Sequence, residues 1–268
     1  MANTTKKSPI LLYKYMWINP EVSKIDPNYH QEIFTKNLLY LPTVKELNDP
    51  FDSIPVLSTV GCNKDELIDI TCAVNSKLNI PANVIAENRR KLESDRMGVF
   101  DFIKSNYQNR HKENIRKHRV LCFSESPDNP LMWAHYAMNY SGFCLEFQFD
   151  REMFNEVLMP IIYGPQRPSF TPRDLLDPKF DYLLCFFTKS ELWAYEKEWR
   201  MFGHWRLLRG NTKWKFKQDH LKAVIFGNNM NLKAKNLLKS WVGEFQGNIQ
   251  LKSIEFDDDD YRLKVVTN

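Results

Sequence analysis

The chain contains no apolar run approaching the ~18 residues of a membrane-spanning helix, and its opening MANTTKKSPI lacks the apolar core of a secretory signal. A cytoplasmic protein with no membrane partner is therefore expected. Glycine and proline are scarce, at 9 and 14 of 268 residues, below the roughly 12% that average composition gives the two together. That excludes collagen-like and low-complexity chains and argues against long linkers. The 5 cysteines (Cys62, Cys72, Cys122, Cys144 and Cys185) are an odd set without C-x-x-C spacing, and some sit in apolar runs such as VLCF and LLCFF, so they read as reduced core thiols. An excess of one charge is missing too: 37 Lys and Arg against 33 Asp and Glu leave only +4, which names no partner. No G-x-G-x-x-G, Walker loop, H-E-x-x-H or G-x-S-x-G occurs, which removes the common dinucleotide-fold, NTPase, zincin and hydrolase readings. None of the 6 histidines pairs with Cys, Asp or Glu at ligand spacing, so no metal is expected.

What is present is enough for a full core: 43% of residues are hydrophobic and 13% aromatic. ILLYKYMW at 10–17 reads as a strand buried on both faces and LLYL at 38–41 as a second strand, with chain breaks at Asn19-Pro20 and Asp26-Pro27. The turn formers of ELNDPFD predict a structured loop. Residues 63–118 turn polar with helical spacing, and Pro81 divides them; His111 and His118 fall on this basic stretch as surface residues. VLCFSES is a strand, and Asp128-Asn129-Pro130 caps a helix over LMWAHYAMNY. GFCLEFQF then alternates as a half-buried strand. A strand over VLMPIIYG, a helix over 173–193 and a strand over EKEWRMF follow; KAVIFG, a helix from Asn231 and a terminal hairpin close the chain. The elements lack the even rhythm of repeated parallel units. The expected class is α+β: one domain over 1–268 with a mixed, mostly antiparallel sheet, flanking helices and a helical insertion at 63–118.

Two places concentrate chemistry. On the helix after Pro130, Trp133, His135 and Tyr136 bring together rings able to line a pocket and stack on a flat ligand; the alternative for His135 is a hydrogen-bonded core histidine. In KSELWAYEKEWRMF, period-two geometry puts Glu196, Glu198 and Arg200 on one face and Lys197, Trp199 and Met201 on the other. A Glu-x-Glu pair can divide labour, one carboxylate stabilising a developing cation while the other takes a proton from an acceptor. The alternative is a solvent-facing edge strand whose ion pairs are worth little. Magnesium held by Asp181, Glu196 and Glu198 beside Lys197, as in a nuclease, is the weakest reading of these carboxylates.

LYKY near the start, LNDPFD, CFSES-x-x-x-P-LMWAHYA-x-x-x-x-GFCLEF and K-x-x-x-W-x-YEKEWR together resemble the bacterial family known as domain of unknown function twenty-nine seventy-one, over about residues 11–227. That resemblance implies an association with phage-defence and mobile-element genes. A looser resemblance is to ADP-ribosyltransferases, with their split mixed sheet, polar anchor on an early strand and glutamate on a late one. It implies NAD as a substrate: Lys14 or Tyr15 contacting the dinucleotide, Ser124 holding the nicotinamide ribose, Tyr136 stacked on nicotinamide, and Arg200 within the binding patch. Glu198 would bond the ribose 2′-hydroxyl, and Glu196 would orient or deprotonate the acceptor. The competing expectation is a non-catalytic module that binds nucleic acid or a phage protein. It would use the basic stretches 86–119 and 204–222, which hold ten and six Lys and Arg, with the Trp133/Tyr136 surface.

Overall fold

The computed structural model describes residues 9–18, 28–94, 98–115, 118–150, 158–177, 182–204 and 211–268. The breaks at Asn19-Pro20 and Asp26-Pro27 lie outside the described residues, as does Asp181. In chain order the elements begin with β1 (Ile10–Met16), α1 (Asn28–Thr35), β2 (Leu38–Tyr40), β3 (Val56–Leu57), α2 (Lys64–Lys77), α3 (Ala82–Glu93), α4 (Val99–Ile115) and β4 (His118–Ser124). There follow α5 (Pro130–Tyr136), β5 (Phe143–Phe149), β6 (Leu158–Pro160), β7 (Ile162–Gly164), β8 (Ser169–Phe170), β9 (Thr188–Ser190) and β10 (Glu198–His204). The last are β11 (Lys213–Lys215), β12 (Leu221–Phe226), α6 (Leu232–Gly243), β13 (Gln250–Phe256) and β14 (Leu263–Thr267). They form two compact units, one of residues 1–42, 119–161 and 192–268, the other of 43–118 and 162–191.

The first unit is built on an eight-stranded sheet in the order β14-β13-β12-β5-β1-β4-β10-β6. It is mixed and mostly antiparallel: β12 and β13, joined through α6, run parallel, while β1–β5, β5–β12, β13–β14 and β6–β10 are antiparallel. One face carries Leu12, Phe123, Phe143, Phe147, Phe149, Val224 and Phe226 against Ile33 and Phe34 of α1 and Leu238 and Trp241 of α6. The other carries Tyr13, Tyr15, Cys144, Ile225 and Ile254 beneath Met132 and Trp133 of α5. Burial of a side chain this size is worth roughly 1.5–3 kcal/mol, so the two layers hold the sheet between them. The alternation of β5 led to a half-buried strand. Instead Cys144 and Glu146 are buried as well as the phenylalanines, because α5 and the neighbouring strands cover the second face.

α5 begins as its sequence predicts. Asn129 is the N-cap, its side chain accepting from Leu131 N at 2.9 Å, and Pro130 opens the first turn. The helix ends at Tyr136 rather than Tyr140, since Met138, Asn139 and Tyr140 take φ of 49°, 51° and 65°. This left-handed turn brings Tyr140 back over Trp133, with the rings stacked at 6.4 Å. It also presents backbone to the end of β12, where Gly227 N donates to Gly142 O and Asn229 N to Tyr140 O, both at 2.9 Å. The C-terminal elements β12, α6, β13 and β14 follow the expectation, with Asn231 capping α6 through Ala234 N at 2.8 Å.

In the second unit, α2, α3 and α4 pack Leu67, Ile68, Leu92, Val99 and Ile103 against Leu57 and Phe170. His111 and His118, expected on the surface, are buried, both beside Phe186, and His111 Nε2 lies 2.7 Å from Ser53 O. The helix expected over 173–193 is replaced by 3-10 turns at Asp174–Leu176, Tyr182–Phe186 and Glu191–Glu196. Between the last two lies β9, which pairs in parallel with β7, Tyr163 opposite Lys189. That pairing ties the backbone to a neighbouring strand and breaks the helical run. The strand expected over VLMPIIYG is divided as well, β6 joining β10 while β7 joins β9.

A Cβ on Gly227 would lie 2.1 Å from Tyr140 O, whereas one on Gly243 meets nothing within 4 Å. Gly227→Ala should therefore cost about 1–3 kcal/mol or more by overpacking backbone, and Gly243→Ala should cost nothing, as read from urea unfolding. His30, ringed by Tyr29, Phe143 and Trp241, has its pKa lowered by burial to about 4. The unfolded chain binds that proton more readily, so stability is full above about pH 6.5 and declines as the pH drops toward 4. Between pH 7 and pH 4.5 His30→Phe should lose roughly 2 kcal/mol less than the parent chain; equal losses would remove His30 as the cause.

Candidate functional site

β10 alternates as its sequence implies. Trp199 and Met201 pack on the α1/α6 side of the sheet, which turns Glu198 and Arg200 to the other. Arg200 is 0% and Glu198 4% exposed, so the solvent-facing edge reading is overturned. The guanidinium grips the carboxylate in two places, Nε to Oε1 at 2.9 Å and Nη2 to Oε2 at 3.0 Å. Such a pair must offset the cost of taking both charges out of water, which the two-pronged geometry favours.

Glu196 reaches the same region by a different route. It closes the 3-10 turn Glu191–Glu196 instead of lying in the strand, and exposed Lys197 between the two glutamates has φ 44°. The left-handed residue separates Glu196 from the alternation of β10, and Glu196 is buried. Its carboxylate accepts the Tyr136 hydroxyl. The turn is bound to the end of β4 by a row of bonds: Ser124 Oγ donates to Glu196 O at 2.6 Å, Glu125 N to Lys197 O at 3.2 Å, and Asn129 Nδ2 to Tyr195 O at 2.8 Å. Trp199 Nε1 donates to Glu125 Oε1 at 2.6 Å, completing the set. Ser124, assigned by the ADP-ribosyltransferase resemblance to a ribose, holds the glutamate turn.

Next to Tyr136 is an aromatic group open to solvent. His135 is exposed, with its ring centroid 6.5 Å from Trp193 and 6.3 Å from Tyr195, and those two are 6.0 Å apart. The core-histidine reading of His135 is thereby corrected: its position on the short α5 points outward. Trp133 and Tyr15 lie deeper, edge to face at 5.3 Å, with Trp133 Nε1 donating to Pro127 O at 2.8 Å and the Tyr15 hydroxyl to Ser126 O at 2.6 Å. They pack beneath the outer rings, of which His135 is exposed and Tyr136, Trp193 and Tyr195 are half-buried. Half-buried Lys14 places its charge near enough to Cys122 and Cys144 to act on both thiols.

Cys122 on β4 was absent from the candidate residues. Burial first, and then the Glu198 carboxylate, push its thiol up to about 12, so it is protonated at neutral pH and is no nucleophile. Also unforeseen was a second buried group on the same sheet face, where Lys252 Nζ bonds both oxygens of Glu146, at 2.8 and 3.1 Å. Burial and then Glu146 raise the neighbouring Tyr13 hydroxyl far above its ordinary value. A glutamate alternating with phenylalanines in FCLEFQF was the available signal. Among the described residues no three His, Cys, Asp or Glu side chains gather as a metal site would need, and no helix is long and apolar enough to cross a membrane.

The segment that carries these features, from Met132 on α5 to Met201 on β10, is also where a known family is matched: residues 132–201 fit the family model described as Protein of unknown function (DUF2971). Over this stretch the chain is similar to the DUF2971 family. No curated protein and no solved structure matches the chain. The DUF2971 segment holds Tyr136, Glu196, Glu198 and Arg200, while Lys14, Cys122 and Ser124 come from strands before it.

Removing one partner of the Glu198–Arg200 ion pair leaves a buried charge. Arg200→Met should cost about 3–5 kcal/mol, and Arg200→Met combined with Glu198→Met should recover most of it. Urea unfolding of the single and double variants reads this directly; additive losses would show the pair to be uncoupled.

Proposed function

We propose that the chain is an NAD-consuming enzyme of the ADP-ribosyltransferase-like or NAD-glycohydrolase kind, acting as an effector in bacterial phage defence. One observation carries the reading. Tyr136 belongs at once to the open aromatic group and, through its hydroxyl, to the buried Glu196, two residues before the buried Glu198. A flat heteroaromatic ring has rings to stack on, and a sugar attached to it then falls beside carboxylates held in a nearly water-free setting.

The chemistry asks for little more. When the bond between nicotinamide and the ribose carbon breaks, the leaving ring takes the electron pair and positive charge develops on the sugar. Glu198, aimed by Arg200, offsets that charge. Glu196 accepts the proton of the attacking hydroxyl, water for a glycohydrolase or a target group for a transferase. Tyr136 orients Glu196, and Ser124 and Asn129 fix the turn from which it projects.

The purified chain should consume NAD and release nicotinamide, followed by chromatography. Glu198→Gln, a near-isosteric change that keeps one oxygen for Arg200, should lower turnover at least 100-fold, and Tyr136→Phe about 10-fold, with circular dichroism confirming the fold. In cells, growth arrest on expression should be relieved by Glu198→Gln. A folded chain that neither turns over NAD nor is stabilised by it in a thermal shift, or undiminished turnover in Glu198→Gln, would overturn the reading.

A further inference from the structure

The second unit contains a cavity that the proposed chemistry does not use. Its volume is about 230 Å³, smaller than the ~300–1,000 Å³ of ordinary ligand clefts and too small for a dinucleotide. The loop after Asn48 supplies Asp49, Phe51 and Asp52, and the β7–β8 connection and β9 supply Arg167 and Lys189. Asp52 and Lys189 are buried, 1% and 4% exposed at their side chains, with Nζ 4.0 Å from Oδ2, and Asp52 Oδ1 accepts the Ser53 hydroxyl at 2.7 Å. Asp49 is buried too; its Oδ1 caps the loop by accepting Phe51 N at 2.9 Å. At the mouth Phe51 is 61% exposed, with the Arg167 guanidinium 5.5 Å from its ring centre.

We propose that this cavity binds a small neutral ring bearing vicinal hydroxyls, a free monosaccharide or the ribose end of a nucleoside. The lining sets the chemistry. Two carboxylates and two cations cancel formally, so the cavity offers no net attraction for a phosphate. Asp52 and Lys189 already neutralise each other, so a zwitterion would have to compete with a made pair. A hydroxyl does not compete: it accepts from the ammonium while donating to the carboxylate, and Asp49 takes the adjacent hydroxyl with the lone pairs its loop bond leaves over. Phe51 gives a flat apolar face to the ring, as aromatic side chains do for amphipathic ligands, and the volume admits one such ring.

The experiment is calorimetric titration of the full chain at millimolar ligand in separate arms: monosaccharides (ribose, glucose, galactose), nucleosides (adenosine, uridine), inorganic phosphate and glycine. Binding in the monosaccharide arm alone assigns a saccharide, and binding in the nucleoside arm assigns a nucleoside. Either supports the proposal if affinity falls about 10-fold in both Asp49→Asn and Phe51→Ala. Asp49→Asn keeps an oxygen for Phe51 N and Phe51 is exposed, and circular dichroism of both variants separates loss of binding from loss of fold. No heat in either hydroxyl arm, binding unchanged in both variants, or preference for phosphate or glycine would overturn it. The outcome is independent of NAD turnover, which Asp49→Asn should leave intact.

Discussion

A guanidinium sealed inside the protein sets the terms for everything around it. Arg200 has no access to solvent, so its charge must be met within the fold, and Glu198 two residues earlier on the same strand meets it with both oxygens. Neither partner can then be exchanged for an apolar residue by itself, since that leaves the other charge buried and unmet. The nearby Cys122 is held as a thiol, α5 packs its Trp133 against Tyr15 of β1, and the turn before β10 is fastened to the end of β4 and the start of α5 by bonds from Ser124, Glu125 and Asn129.

That fastening connects fold to chemistry. Lys197 holds backbone strain, of the order of 1–3 kcal/mol for a non-glycine residue in the left-handed region, and the glutamates on either side of it are both buried. A regular strand would also have put them on one face, but with equal depth and equal partners. Here they differ: Glu198 bonds a cation, and Glu196 bonds the hydroxyl of a tyrosine at the surface. Two carboxylates in unlike settings are what divided acid–base work requires. The second unit shows the same economy on a smaller scale, with a buried aspartate and lysine joined at the base of a cavity and a strained loop, Ser53 at φ 58°, holding one of them there.

Much of this was legible beforehand, and the reasons are local. Asn129-Pro130 and Asn231 cap helices because their side chains reach backbone donors within a few residues, and β10 alternates because its neighbours in sequence define its faces. The late Glu-x-Glu, Arg200 and Tyr136 were picked out by residue type in an aromatic setting. What failed were inferences about depth. FCLEFQF shows the alternation of a strand with one wet face, yet α5 and Lys252 cover that face and Glu146 is buried with it. His111 and His118 sit in a basic stretch and still pack on Phe186, and His135, in an apolar run, faces outward because α5 stops after Tyr136.

The amino-acid order by itself determined the class of fold, the start of the two best-capped helices, the faces of β10 and the residue types available for chemistry, since each depends on contacts within a few positions. Tertiary structure decided which charges meet and which rings stay open. Arg200 finds Glu198 by strand geometry, but Tyr136 finds Glu196 across sixty residues, and the helix expected over 173–193 yields to β9 because β7 offers its backbone a partner. Such choices turn on desolvation and on which neighbour supplies a hydrogen bond, and both are properties of the assembled fold.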